Sequence, residues 1–532
     1  MATNVTCGQA VISLIEAYGV DTVFGIPGVH TLELYKGLGA SGIRHVQPRH
    51  EQGAGFMADG YARASGRPGV CLLITGPGVT NAATPIGQAY SDSVPMLVLS
   101  SVNATADLGM GRGRLHEITS QEAVTAPMTA FSKTALNASE VPNLVARAFA
   151  VFRNARPRPV HISLPLDVLK APAEFEVAAL EIAPPPPPAP ESVAAAAERI
   201  AEARRPVIIA GGGTVDCGDA LKELAEAVGA AVILTNAAKG VLADDHPLCV
   251  GSTLTREATR ELLASADVVV AVATELAETD SWIRRLPITG TLIRIDIDPA
   301  AVQRDYAADV GILGDAGQAL SAIAAALGGP GGGGIDPGEI ADVRRRDNGA
   351  TSPLRRKHVK VLDALRAALA DDGIVVNDMT QIAYTGNAYF PCAQPRSWFH
   401  PNGFGTLGYA LPAAIGAKLG APGRDVVCLI GDGGFLFTAS ELGVAVEMGL
   451  PVVIVLWNND GMGQIRDDMN ALGIPEIGVN PVNPDYLKLA EAFGARALRA
   501  ESLEHFEAAL REGFAAAGPT LIEVRQDAPF LD

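Results

Sequence analysis

Val426-Val427-Cys428-Leu429-Ile430-Gly431-Asp432-Gly433 begins a stretch that closes on Pro451-Val452-Val453-Ile454-Val455-Leu456-Trp457-Asn458-Asn459, and its reading decides the fold. Each apolar run is short and uninterrupted by charge, the mark of a strand buried on both faces of a parallel sheet. Between them, Leu436 to Met448 carries a helical pattern. A right-handed crossover through that helix puts Asp432 and Asn459 at the carboxyl ends of neighbouring strands. Open α/β sheets bind their ligands there.

Magnesium is small, hard and octahedral, and takes one carboxylate plus neutral oxygens, with substrate phosphates completing its shell. Asp432 would give the carboxylate, Asn459 its amide oxygen, and a backbone carbonyl near Gly461 the third ligand. Gly431, Gly433 and Gly434 let phosphate oxygens approach the main chain, and the helix start adds a favourable dipole. Gly-Asp-Gly alone would also suit a plain strand-to-helix turn. The asparagine pair closing a second apolar strand makes the pattern specific for a metal-held diphosphate.

Outward from this unit, two composition breaks divide the 532 residues. Ala183 with Pro184 to Pro188 forms a stiff spacer, and Gly328 to Gly334, interrupted by Pro330, a flexible one. The expected domains are 1–183, 191–327 and 345–532, in line with the size prior for such a length. In the first, strands are expected at 22–24, 43–46, 70–74 and 96–99. The second should hold 206–210, 231–234, 268–272 and 291–297, and the third 374–376, 426–430, 452–457 and 520–524. The fold class is therefore α/β, with three doubly wound parallel-sheet domains. Gly211-Gly212-Gly213-Thr214 in the middle domain lacks the GxGxxG spacing of a dinucleotide loop and reads as a tight turn.

A hydrophobic fraction of 48% suits a large core, and a net charge of -18 disfavours a nucleic-acid partner. The six cysteines lie singly, as reduced thiols in a cytoplasm would. No basic-then-apolar leader and no membrane-length apolar run is present, so a cytoplasmic protein without membrane partners is expected.

A second constellation lies near the amino terminus. Arg49-His50-Glu51-Gln52-Gly53-Ala54-Gly55 follows an apolar strand and opens a helix running to Ala64. Alone, Glu51 would be a helix cap. Its company changes that reading: Phe24-Gly25-Ile26-Pro27-Gly28 earlier and Thr75-Gly76-Pro77-Gly78-Val79-Thr80-Asn81 later are two more glycine-lined loops at strand ends of the same sheet.

This order of motifs resembles the acetolactate synthase and pyruvate decarboxylase superfamily of thiamine-diphosphate enzymes, over essentially the whole chain. The resemblance implies a pyrimidine-binding first domain, a central Rossmann-like domain and a diphosphate-binding last domain. Thiamine diphosphate and Mg2+ are then the expected cofactors, and FAD is not. Glu51 matches the glutamate that hydrogen-bonds the aminopyrimidine ring. Pro27, Thr75, Asn81 and Gln88 match cofactor-binding positions of the first domain. Leu407, with Thr406 in Gly405-Thr406-Leu407-Gly408-Tyr409, matches the bulky residue that bends the cofactor. Thr380 and Gln381 match a diphosphate loop, although Ile382 stands where a histidine is frequent, and Met462 follows the metal loop. No protein side chain stabilises an acyl carbanion, so the cofactor serves as electron sink. A carboxyl group in an apolar pocket holds its proton and shares it with the ring. The resemblance also implies that the glutamate and the metal half of each site come from different subunits. A homodimer is the minimum and a homotetramer is expected.

After carbon dioxide leaves a 2-oxo acid, protonation gives an aldehyde, whereas addition to a second carbonyl gives a carboligation product. His30 resembles the active-site histidine of benzaldehyde lyase, His116 stands where pyruvate decarboxylases carry paired histidines, and Gln121 resembles the glutamine of the acetolactate synthase FQE motif. With Glu51 these are the catalytic candidates. The stretches 30–35, 49–63 and 115–117 look most like the branch that decarboxylates 5-guanidino-2-oxopentanoate (2-ketoarginine) in arginine catabolism. A guanidinium tail needs carboxylates. Asp467, Asp468 and Glu476 are the candidates by position, and Glu278 and Asp280 weaker ones. Each is also readable as an ordinary solvated acid. An acetolactate synthase-type carboligase and a non-catalytic cofactor-binding relic are the alternatives.

Overall fold

The computed structural model describes residues 5–329, 333–349 and 352–532. Three six-stranded sheets, parallel throughout, follow one another along the chain. The first contains β1 (Thr22–Gly25), β2 (Arg44–Val46), β3 (Gly69–Leu73), β4 (Met96–Val102), β5 (Phe131–Thr134) and β6 (Val160–Pro165), in the order β2-β1-β3-β4-β6-β5. The second contains β7 (Pro206–Ala210), β8 (Ala231–Leu234), β9 (Cys249–Gly251), β10 (Val268–Val272), β11 (Thr291–Asp296) and β12 (Val310–Leu313), ordered β12-β11-β10-β7-β8-β9. The third contains β13 (Ile374–Asn377), β14 (Trp398–Phe399), β15 (Val426–Gly431), β16 (Val452–Asn458), β17 (Arg496–Arg499) and β18 (Thr520–Arg525), ordered β14-β13-β15-β16-β18-β17. The fold class read from the sequence stands.

Strands absent from the sequence reading are short or interrupted by polar residues. β14 has two residues, β17 carries arginines at both ends, and β6 is interrupted by His161 and Ser163. That histidine is buried, meets Ser100, Thr125 and Ser132 at 2.7 to 2.8 Å, and is pushed by burial down to about 4. It is a neutral, satisfied core group.

The helix expected over Leu436 to Met448 is broken. Helices at Asp432–Thr438 and Leu442–Glu447 are separated by a tighter turn at Ala439–Glu441. Tertiary bonds set the break: the Thr438 hydroxyl donates to Gly408 O at 2.8 Å, and Glu441 turns toward the first domain.

The first and last domains share one apolar core, centred on the helices Glu51–Ser65 and Ala410–Gly420. A Cβ at Gly60 would fall 1.9 Å from Ala413 O, and one at Gly416 1.9 Å from Met57 O, so a glycine on each helix lets it meet the other's backbone. Beside this contact Arg63 bridges buried Asp59 and Asp92, Tyr409 donates to Asp59 at 2.6 Å, and Gln88 joins Asp92 to Thr406. Gly416→Ala is expected to cost about 1–3 kcal/mol by forcing the helices apart. A thermal melt reads this as a lowered Tm, and an unchanged Tm would contradict the contact.

In the central domain, space for a Cβ at Gly211 is taken by Ala273 O at 2.2 Å, so the glycine triplet packs on the neighbouring strand end as a turn. Ile335, Ile340 and Val343 belong to the core of this domain. The helix Pro337–Gly349, which carries Ile340 and Val343, packs against this core. The prolines are not a free spacer either, since Asp315 N donates to Pro186 O at 3.1 Å. Of the glycine spacer, residues 330–332 lie outside the described residues. Among the described residues no helix is long and apolar enough to cross a membrane. All six cysteines are free thiols, five of them buried.

Candidate active site

The register of β15 on β16 pairs Gly431 with Trp457, so Asp432 and Asn458-Asn459 leave the sheet side by side. Asp432 is buried, which raises its carboxyl, while Gly461 N (2.8 Å) and Asn483 Nδ2 (2.7 Å) donate to its Oδ2. With the Asn459 nitrogen toward Gln381 Oε1 at 3.3 Å, its oxygen faces Gly461 O at 2.7 Å and Asp432 Oδ1 at 3.2 Å. Three oxygens then converge with no proton among them, a donor set suited to a hard divalent cation. Turned over, the same amide donates to both oxygens instead. The three ligands read from the sequence are brought together. Around them stand Thr380, whose hydroxyl lies 3.0 Å from where a Gly431 Cβ would be, and Met462, whose sulfur lies 3.1 Å from the equivalent point of Gly433.

Glu51 is the first residue of the helix Glu51–Ser65, and Asn81 Nδ2 donates to its Oε2 at 2.9 Å. Its Oε1 lies 3.6 Å from where a Gly78 Cβ would stand, so the absent side chain keeps the carboxyl accessible. Nearby, His30 and His116 meet edge to face with ring centroids 5.2 Å apart. Among the described residues the buried Nδ1 atom of each has no hydrogen-bond partner. Burial lowers the basicity of His30, and its neighbours His116 and Lys170 lower it further. His116 adopts a left-handed φ of 60°, and its carbonyl lies 2.5 Å from where a Cβ at Gly76 would be. Gly76, itself at φ 67°, is what lets the two loops meet.

A half-site for a metal and diphosphate and a half-site with an accessible acid thus stand on two sheets of one chain. Family models for the N-terminal, central and C-terminal domains of thiamine pyrophosphate enzymes match residues 5–124, 193–323 and 378–524. The chain belongs to the thiamine pyrophosphate enzymes. A probable 2-ketoarginine decarboxylase of Pseudomonas aeruginosa is 54% identical over 98% of this chain and 94% of its own length. A probable acetolactate synthase large subunit of Methanococcus aeolicus is 32% identical (98% and 92% covered). The large subunit of acetolactate synthase isozyme 1 of Escherichia coli is also 32% identical (98% and 94% covered).

As a thiamine pyrophosphate enzyme the chain has residues that fit the cofactor: an oxygen cluster for its metal, glycines beside its phosphates, and a carboxyl at the far half. Leu407 stands half-buried between Gly405 (φ 63°) and Gly408 (φ 77°). The turn carrying it is fixed by a residue the sequence reading missed. Asp378, fully buried and pushed up by burial to about 6, accepts from Met379 N, Gly408 N and Ala410 N at 2.9 to 3.2 Å. Its signal was an acid closing the apolar strand at 374–376. Asn483, which orients Asp432, and Tyr486, whose hydroxyl donates to Asp432 O at 3.1 Å, were also missed. Asn483 lies in a polar stretch far along the chain, and Tyr486 opens a separate helix, Tyr486–Phe493, so neither adjoins the loop it serves in sequence.

Four expected site residues of this thiamine pyrophosphate enzyme turn their polar ends inward. The Thr75 hydroxyl donates to Ser101 Oγ at 3.1 Å, while Gln88 and Thr406 bond each other at 3.0 Å. Gln121 accepts from Gly76 N and donates to Ser100, Ser101 and Ser163, so it clamps a loop. Buried polar groups must find partners, and these found them in the protein. Glu476 is exposed and held by Asn470 and Asn480, a surface tie. Asp467 accepts from Gln381 Nε2 at 2.7 Å, beside Asn459, and Asp468 from Gln464 at 3.1 Å. Asp468 also contributes to the raised Tyr384 hydroxyl, placing it near the 381–389 helix. In the central domain, Asp280 is pushed up to about 7 by burial, Asp92 and Glu275. Pro27 and Glu278 lie on the loop after β1 and at a short helix start, respectively.

Proposed function

We propose that this enzyme is a Mg2+-dependent, non-oxidative decarboxylase of a 2-oxo acid with a cationic tail, 5-guanidino-2-oxopentanoate yielding 4-guanidinobutanal. Thiamine diphosphate, when bound, would supply the electron sink that loss of carbon dioxide from a 2-oxo acid requires. Asp432, Asn459 and the Gly461 carbonyl would hold the metal, and Glu51 would hold a proton for the cofactor's aminopyrimidine. The observation that carries decarboxylation over carboligation is the His30–His116 pair, with unpartnered ring nitrogens next to the Gly76 loop. Such a pair delivers a proton to a carbanion, which ends the reaction at the aldehyde. The 54% identity to the Pseudomonas protein supports the guanidinium substrate.

The partners of Glu51 lie in the first domain and those of Asp432 in the last, which supports sites completed by a second copy in a cytoplasmic homodimer or homotetramer. Exposed apolar side chains near both halves, Val29 and Leu115 on one and Phe437 on the other, favour such a contact.

Incubation of pure protein with thiamine diphosphate, magnesium and either 2-ketoarginine or pyruvate tests the reaction. Aldehyde from 2-ketoarginine is expected. Acetolactate from pyruvate as the main product would overturn the reading in favour of the synthase type, and no carbon dioxide from any acid would favour a relic. Asp468→Asn is expected to raise KM for the guanidinium acid about tenfold, the loss of one charge-assisted contact, with little change for an uncharged analogue. Equal changes would remove Asp468 from the specificity pocket.

A further inference from the structure

We propose that Glu441 is a positioning residue for Glu51, a carboxylate sent from the last domain to fix the start of the helix that carries the acid. The inference rests on Glu51 serving the cofactor, as read above, and deepens it.

Glu441 is fully buried, on the turn between the helices Asp432–Thr438 and Leu442–Glu447. Its two oxygens accept from Arg49 N at 3.1 and 3.0 Å, and its Oε1 also from His50 N at 3.0 Å. These amides directly precede Glu51. The local cap is different: His50, extended at φ -149°, accepts from Gln52 N through its own Nδ1 at 3.1 Å. One end of the helix start is therefore tied by its own residue and the other by an acid distant in the chain. The glycine of the first turn completes the device. A Cβ at Gly53 would lie 2.3 Å from Glu441 Oε1, so any side chain there would expel the carboxylate. The Arg49 guanidinium adds a second strap, reaching Gly443 O and the Glu447 carboxylate on the helix that follows Glu441.

A buried acid is a costly way to join two domains that already share an apolar core. Burial pushes Glu441 up to about 7, against the lowering effect of the two amides and Arg49, and Glu51 is among the charges that raise it. What the carboxylate provides and an apolar side chain would not is direction. Two N–H groups converge on it, and the residue after them is the acid that must meet the cofactor ring within hydrogen-bond reach. Displacements of about 1 Å in such a geometry cost up to about 100-fold in rate.

Glu441→Gln keeps size and shape, but its NH2 group faces an amide N–H where the second carboxylate oxygen stood. The holoenzyme variant is expected to bind thiamine diphosphate and magnesium within about threefold of wild type by calorimetry, and to keep its substrate KM. Proton exchange at C2 of the bound cofactor, followed by NMR after acid quench, is expected to slow about tenfold or more, with kcat falling in parallel. Gly53→Ala, which keeps the glutamate but pushes its carboxylate off the amides, is expected to slow exchange likewise and settles the matter where Glu441→Gln fails to fold. Wild-type exchange in both variants, with exchange lost in Glu51→Gln, overturns this proposal alone. Loss of stability, cofactor affinity and exchange in proportion also overturns it, leaving Glu441 as a domain tie. Wild-type exchange in Glu51→Gln overturns the role of Glu51 and this proposal with it.

Discussion

Glu51→Gln is expected to bind thiamine diphosphate with near wild-type affinity and to lose proton exchange at the cofactor's C2 carbon by about 100- to 10,000-fold, the range of a positioned acid–base group. The amide is isosteric, and the contact with Asn81 survives because a Gln oxygen still accepts from Asn81 Nδ2. Only the ionisable carboxyl is removed. Affinity should hold because Glu51 lies in the first domain, while the oxygen cluster of Asp432, Asn459 and Gly461 proposed for the metal lies in the last. NMR of the quenched complex reads exchange and calorimetry reads binding. Exchange at the wild-type rate would leave Glu51 a helix cap.

Asp432→Ala is expected to abolish metal-dependent cofactor binding. Asp432 is the one carboxylate in the oxygen cluster, and Asn459 and the Gly461 carbonyl contribute no net charge. Without it, nothing in the cluster offsets the desolvation of a divalent cation. The substitution also frees Gly461 N and Asn483 Nδ2, both of which donate to Asp432, so the loop after Asn459 loses its anchor. Titration of thiamine diphosphate into the variant with and without magnesium should give the same weak heat. A magnesium-dependent Kd close to wild type would dismantle the clamp. The two variants separate the halves of the site: one keeps the cofactor without its chemistry, the other loses the cofactor.

The last domain was the most legible. β15 and β16 are apolar runs long enough to read as buried parallel strands, and the residues after them fall at the strand ends whatever the rest of the fold does. The acid at position 51 was legible because it opens a glycine-rich helix after a strand. The six strands that escaped notice are short or polar, and their burial depends on neighbours such as Thr125 and Ser132, which satisfy His161. The helix written across 436–448 followed local periodicity, and the bonds of Thr438 and Glu441 to distant residues overruled it.

The order of apolar runs and turns along the chain determined by itself that three parallel sheets form and which residues stand at their carboxyl ends, because hydrophobic period and strand length are local properties. That suffices to place Asp432, Asn459 and Glu51. The direction in which each polar side chain faces was decided only by the tertiary structure. Thr75, Gln88 and Gln121 occupy plausible site positions, yet each bonds inward because a buried polar atom takes whichever partner packing brings nearest. Glu441 meets Arg49 across 392 residues of chain, a contact that exists only once two glycine-faced helices have closed on each other.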